Sequence, residues 1–256
     1  MSAWEAIFLS FIQGLTEFLP VSSSGHLVIF QQLLGIDTGG LLFDTMLHVG
    51  TLVAVLIAFW PDIRSILKKP NQRLTWMVII GAIPTGLMGV LFQDFFEGLF
   101  ESLLTVGIAL LLTGLVLWYA EVSAQKRHSL EQMKWPSAIF IGFAQGLAIT
   151  PGLSRSGLTI AASLFTGLNR EDAARYSFIL SIPVIAGAAL LQLKDVLGAA
   201  SAAQPVTIYL IGVIFSALFG YLAIRLLLNL LNRGKLRYFA YYCWFVGLAI
   251  ILSQVF

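Results

Sequence analysis

Three charged side chains stand inside long apolar stretches, away from the ends: Glu17, Asp44 and Arg155. The imidazoles of His26 and His48 join them. A charged residue at the centre of a membrane helix costs roughly 2.5 to 3.5 kcal/mol. Three left unpaired would cost about 8 to 10 kcal/mol, on the scale of a domain's whole stability. They must therefore meet one another, water, a metal or a charged ligand. A structural ion pair between Glu17 and Arg155 is the plainer reading. Position favours a functional one, because Glu17, His26 and Arg155 flank or lie on two polar breaks in the apolar sequence. These are Pro20-Val21-Ser22-Ser23-Ser24-Gly25-His26 and Pro151-Gly152-Leu153-Ser154-Arg155-Ser156-Gly157.

Each break can turn the chain and begin a new helix whose first N–H groups lack helical partners. Ser22, Ser24, Ser154 and Ser156 can cap those helices, or bind a ligand there. Two helix N-termini aimed at one point make an anion site. Arg155 adds a planar cationic fork suited to phosphate, so phosphate or pyrophosphate is the expected ligand. Gln13 and Glu17 lie four apart and share a helix face. A carboxylate beside bound phosphate calls for a divalent cation, Mg²⁺ or Ca²⁺, with Glu17 as its protein ligand. Ser23 precedes His26 by three residues, within reach of the imidazole that would activate a hydroxyl nucleophile. Asp44 and His48 share a face of the next helix and either orient His26 or bind metal. Cys243 lies in an aromatic span and reads as inert; His128, in a basic loop, reads as solvated.

The elements that hold these residues follow from hydropathy. The chain of 256 residues is 58% hydrophobic and 11% charged, with mean hydropathy +0.89. Soluble domains carry roughly 25% charged residues, so a soluble enzyme, a nucleic-acid binder and a disordered chain are all disfavoured. One cysteine excludes a disulfide framework. The segment Met1–Glu5 lacks a basic n-region and reads as mature chain. A span takes about 20 apolar residues, and 41–60, 74–92, 102–120, 176–193, 206–228 and 238–256 qualify. The stretches 4–34 and 136–168 are too long for one span and broken in the middle. Each reads as a re-entrant hairpin of two half-helices, tolerated at membrane depth only where buried or lining a wet cavity.

Basic residues test this layout. Arg64, Lys68, Lys69, Arg73, Lys126, Arg127, Lys134, Arg170, Arg175, Arg225, Arg233, Lys235 and Arg237 fall in or beside four loops. The alternate segments carry Asp94, Glu97, Glu101 and Asp195 against Lys194. The positive-inside rule assigns the first group to the cytoplasm, which requires 136–168 to enter and leave on one side. Trp60, Trp76, Trp118, Tyr119 and Trp135 flank those loops as an interfacial belt. The expected fold is thus an all-α polytopic membrane protein: six full transmembrane helices plus two re-entrant hairpins, with both termini outside. It forms one membrane domain whose inverted repeat halves are approximately 1–120 and 136–256. Setting Gln13–Leu27 on Gln145–Thr159 matches Gln13/Gln145, Gly14/Gly146, Leu15/Leu147, Ser22/Ser154, Ser24/Ser156 and Gly25/Gly157. Ser23 and Arg155 become counterparts across a site near the midplane.

The strings Gln13-Gly14-Leu15-Thr16-Glu17-Phe18-Leu19-Pro20-Val21-Ser22-Ser23-Ser24-Gly25-His26 and Pro151-Gly152-Leu153-Ser154-Arg155-Ser156-Gly157-Leu158-Thr159 resemble the signature motifs of the undecaprenyl-pyrophosphate phosphatases of the bacitracin-resistance type. Length, hydrophobic layout, Phe43-Asp44 and Gly50-Thr51 extend the resemblance over the whole chain. It implies a phosphatase of the bacterial inner membrane that hydrolyses a polyprenyl pyrophosphate and recycles the lipid carrier for cell-wall synthesis. It also implies that Glu17, Ser23, His26 and Arg155 are catalytic, and that Gln13, Ser22, Ser24, Ser154, Ser156 and Thr159 bind substrate. Mg²⁺ or Ca²⁺ is the implied cofactor. The lipid and the bilayer are the implied partners, a homodimer is admitted, and nucleic acid is not expected. Many members have Glu where this chain has Gln13, which removes one negative ligand. A polyprenyl-phosphate flippase or secondary transporter of an anionic substrate is the alternative, since broken inverted repeats suit it, but it gives Ser23 and His26 no role. An intramembrane serine protease leaves Arg155 unexplained.

Overall fold

The computed structural model describes residues 1–38, 41–100, 102–123, 128–198 and 204–255. Glu101, Lys126 and Arg127, and the side chains of Lys194 and Asp195, lie outside the described residues. The described residues form α1 (Ala3–Phe18), α2 (Ser23–Leu34), α3 (Leu41–Ala58), α4 (Trp60–Lys68), α5 (Arg73–Leu91), α6 (Gln93–Leu99) and α7 (Leu103–Ser123). A 3₁₀ turn at Leu130–Gln132 follows, then α8 (Trp135–Leu147), α9 (Arg155–Phe165), α10 (Arg170–Gly198), α11 (Val206–Asn232) and α12 (Leu236–Val255). The protein is all-α. Helices α5, α7, α10, α11 and α12 are long and apolar enough to cross a membrane. A sixth candidate is α3 with α4, which bend by 79° at their junction.

Local sequence explains the breaks. Pro20 has no N–H to extend α1, and Ser22 then caps α2 by accepting from Gly25 N at 3.3 Å. Ser154 caps α9 in the same way, accepting from Gly157 N at 3.1 Å. Pro61, in the first turn of α4, favours a new helix start over continuation of α3. Helix α10 begins earlier than its apolar stretch at 176. Asn169 Oδ1 accepts from Asp172 N at 2.9 Å, and Glu171 and Asp172 suit a helix N-terminus.

Packing partners pair off between the halves: α1 lies on α11 as α8 lies on α5, while α3 meets α10 and α7 meets α12. Along α1, Ser10 Oγ approaches Gly212 O at 3.3 Å. Along α8, Gly142 O accepts from Thr85 Oγ1 of α5 at 2.9 Å. The basic segments join one another at one end. Arg175 pairs with Asp62, Arg170 with Glu121 at 2.6 Å, and Arg73 Nε donates to Met133 O at 3.1 Å. Glu121 also accepts from Leu236 N at 3.0 Å. His128 is half-buried here rather than solvated, its Nε2 3.0 Å from Thr166 O, because 128 and 168 run side by side. The opposite end gathers Met1, whose amino group donates to Gln204 Oε1 at 3.2 Å, and Phe8 against Phe30. Trp60, Trp76, Trp118, Tyr119 and Trp135 are all exposed.

The core runs through both halves. Phe18 is fully buried, edge-on to Phe178 with centroids 5.4 Å apart, and Phe59 packs on the same ring. That contact anchors the end of α1, and with it the preceding Glu17.

Candidate active site

The two polar elbows touch. A Cβ on Gly25 would come within 3.1 Å of Gly152 Cα, so glycine is what allows the approach, and Gly152 itself has φ +90°. Ser156 Oγ donates to Leu19 O at 3.2 Å, tying one elbow to the other. Thr113 of α7 holds the second elbow, donating to Gly152 O at 3.2 Å and accepting from Ser154 N at 3.1 Å. Cys243 of α12 holds the first, its Sγ 3.5 Å from Pro20 O.

Glu17 is the hub. Its Oε1 accepts from Arg155 Nη2. Its Oε2 accepts from Ser23 Oγ at 2.5 Å and Gln13 Nε2 at 3.0 Å, with His48 Nδ1 at 3.6 Å. Gln13 Nε2 also lies 2.8 Å from His48 Nδ1. Ser23 and Arg155 are the first residues of α2 and α9, so both helix N-termini reach this carboxylate. The Glu17 and Arg155 side chains are only 5% and 14% exposed. Removing either partner would strand a nearly buried charge, a cost of about 3 to 5 kcal/mol. Arg155 Nη1 and Gln13 Oε1 are buried without partners, capacity a ligand can use.

His26 stands apart from Ser23. Its Nδ1 donates to Ser22 O at 2.7 Å, and its Nε2 accepts from Tyr242 OH at 2.7 Å, the two rings stacked at 5.6 Å. Ser22 has φ +70°, the one positive φ outside glycine among the described residues. Such a backbone costs about 1 to 3 kcal/mol and persists only where surroundings enforce it. His26 supplies two of those restraints, through its ring and its backbone N–H. Asp44 accepts from Gln31 at 2.9 Å, and neither it nor His48 touches His26.

A cleft of about 200 Å³ opens beside Glu17. Its polar lining includes Ser23, Ser24, His48, Gln145, Ser154 and Arg155; its apolar lining includes Phe100, Ile149, Leu153, Val184, Ile185 and Ala188. Glu17, Ser23, Ser24, Ser154 and Arg155 are thus gathered from both motifs. Ser22, Ser156 and Thr159 turn to protein partners: Thr159 Oγ1 donates to Arg155 O at 2.7 Å and meets Ser177 Oγ at 2.5 Å. Thr85, Gln145 and Tyr242 escaped the sequence reading. Gln145 had a signal, as the counterpart of Gln13; its Oε1 is buried without a partner while its Nε2 donates to Thr85 at 3.1 Å.

A charged hub beside apolar side chains suits an amphiphile with an anionic head. The chain matches the family described as bacitracin resistance protein BacA over residues 6–249. The undecaprenyl-diphosphatase of Halothermothrix orenii is 52% identical to it, with 98% of each chain covered. That of Carboxydothermus hydrogenoformans is 48% identical over 99% of this chain and 98% of its own. The undecaprenyl-diphosphatase of Methanosphaera stadtmanae is 45% identical over 98% of this chain and 97% of its own.

Proposed function

The chain belongs to the bacitracin resistance protein BacA family, and from that membership we propose that it removes the terminal phosphate of undecaprenyl pyrophosphate through the cluster built on Glu17, Ser23 and Arg155. It is a multi-span membrane phosphatase whose product is the lipid carrier used in cell-wall synthesis. The reading of the site rests on one observation above the others: a serine hydroxyl and a guanidinium, one from each elbow, share a single buried carboxylate that lines a cleft together with apolar side chains. The diphosphate takes the charged cluster and the polyprenyl tail leaves along Val184, Ile185 and Ala188.

Chemistry follows from who touches whom. Arg155 Nη1 meets a phosphoryl oxygen first, and Nη2 then exchanges Glu17 for the same group. Glu17 takes the Ser23 proton as Oγ attacks the terminal phosphorus. The bond from that phosphorus to the bridging oxygen breaks, and undecaprenyl phosphate leaves with the electron pair. Water next attacks the phosphoserine, releasing inorganic phosphate and restoring the hydroxyl. Arg155 and the N-termini of α2 and α9 oppose the charge that grows on the transferring group. Ser24 adds a donor; Ser22, Ser154, Ser156, Thr159 and His26 hold the elbows in shape.

A protein-held metal fits this donor set poorly. No group of three His, Cys, Asp or Glu side chains placed to hold a metal ion is found among the described residues. Both Glu17 oxygens are engaged, and position 13 is a neutral amide. Mg²⁺ or Ca²⁺ belongs in this reading as part of the substrate, carried by the diphosphate oxygens.

For the topology, we read α1–α2 and α8–α9 as hairpins that enter from opposite leaflets of the bacterial inner membrane. The basic end is cytoplasmic and both termini lie outside. The exchange of packing partners between halves supports this, as does the bonding of Arg170, Arg175 and Arg73 into one end. The Glu17, Ser23 and Arg155 cluster is assembled within one chain. Phosphate release by the purified protein in detergent tests the function. Undecaprenyl pyrophosphate should yield one phosphate per lipid, and Ser23→Ala should yield none above background; equal release by both would refute the site.

A further inference from the structure

We infer that His48 is a substrate-binding residue that donates its Nε2–H to a phosphoryl oxygen of the diphosphate, in a tautomer imposed by Gln13. The inference rests on the diphosphatase reading above and adds to it a residue from outside both motifs, on α3. Glu17 is ion-paired with Arg155, so its oxygens only accept. The end of Gln13 lying 3.0 Å from Glu17 Oε2 must then be its amide nitrogen. The reverse assignment would set a carbonyl oxygen against a carboxylate in a buried site, which is repulsive. That nitrogen has a second hydrogen, and it points to His48 Nδ1 at 2.8 Å. An amide nitrogen accepts nothing, so Nδ1 holds a lone pair and the ring proton of neutral His48 lies on Nε2.

The rest of the ring reaches the ligand space. His48 lines the cleft, and its side chain is 35% exposed where Glu17 is 5% exposed. With the Nδ1 edge turned to Gln13 and Glu17, the Nε2 edge is the part of the ring left to face the cleft. A chain of defined donors therefore runs from each side of the hub: Arg155 to Glu17 from the second elbow, and Gln13 of α1 to both Glu17 and His48. The diphosphate receives a guanidinium from α9 and an imidazole N–H from α3, two donors from different halves gripping one head group. No proton is transferred by His48 in this role.

Two measurements test it on the full chain in detergent. In side-chain reach, glutamine puts its amide nitrogen near the Nε2 position and asparagine near Nδ1. In kcat/KM, His48→Asn and His48→Ala should fall about 10- to 100-fold, and His48→Gln, which keeps a donor near the Nε2 position, should fall the least of the three. Equal activity of the Gln and Asn variants, or no loss in His48→Ala, overturns the inference. Nitrogen-15 histidine spectra of Ser23→Ala protein should show His48 as the Nε2–H tautomer, with that proton shifting on addition of methylenediphosphonate. An Nδ1–H tautomer, or no shift at saturation, also overturns it, whatever the variants' folding. A parent protein that releases no phosphate sinks the diphosphatase reading instead, which separates the two failures.

Discussion

Ser23 donates its hydroxyl to Glu17 at 2.5 Å, although they are six positions apart with a helix break between them. Pro20 ends α1 just after Glu17, and the positive φ of Ser22 swings the first hydroxyl of α2 back onto that carboxylate. The proposed proton acceptor is thereby in contact with the proposed nucleophile in the substrate-free site. Ser23→Ala should lower turnover by about 10³-fold or more, and Glu17→Gln by about 10²- to 10⁴-fold. In Glu17→Gln, Arg155 also loses its partner, so the melting temperature should fall and recover on adding methylenediphosphonate. Steady-state phosphate release checks the first pair of values; full activity in Glu17→Gln would remove it as the base.

His26 restrains the Ser22 carbonyl while leaning on Tyr242, and the proposed role for it is geometric. Tyr242→Phe keeps the stacked ring and loses one hydrogen bond, worth about 1 kcal/mol. Turnover should fall about 3- to 10-fold, with KM and both limbs of the pH profile where they were. A displaced limb would instead make His26 an acid or base.

The contact between elbows predicts a loss of activity with no chemistry removed. Gly152→Ala must place a Cβ against Val106 O and Ala109 while holding φ +90°. The strain is about 1 to 3 kcal/mol, and the shift it forces separates Arg155 from Ser23. Activity should drop at least tenfold and thermal stability should fall. A variant as stable and active as the parent would mean the elbows do not need to touch.

Cation dependence should follow the substrate. Titrating Mg²⁺ or Ca²⁺ into the substrate-free protein should give no binding heat below about 1 mM, since one engaged carboxylate is a poor site. Adding the diphosphate should restore cation binding in both the parent and Gln13→Ala. A micromolar site in the substrate-free chain would contradict a substrate-borne metal.

Topology can be read with thiol reagents in a Cys243→Ser background, Cys243 being buried. Lys69 and Asp94 are both exposed. A membrane-impermeant maleimide applied to intact cells should label Asp94→Cys and spare Lys69→Cys until the membrane is opened. The opposite pattern would invert the orientation.

Much of this site could be read from order and type alone. Charges at 17 and 155 stand in apolar surroundings, where leaving them unpaired costs more than a fold can bear, so a partner or ligand was required in advance. The serines at 22 and 154 sit just before the third-residue glycines whose N–H groups they cap, a local hydrogen bond that depends on a few residues of chain. Helix spans were legible for the same reason, as hydropathy is additive along a segment. The start of α10 was not, because Asn169 and Asp172 extend the helix beyond the apolar run.

What tertiary structure decided was direction and partnership. Ser23 lies six positions from Glu17 and three from His26, and it bonds the farther of the two, with the positive φ of Ser22 between them. Tyr242 lies 216 residues from His26, and His48 lies 35 from Gln13. Neither pairing leaves a periodic trace, since a hydrogen bond across packed helices depends on their rotation and register, which the whole bundle sets at once.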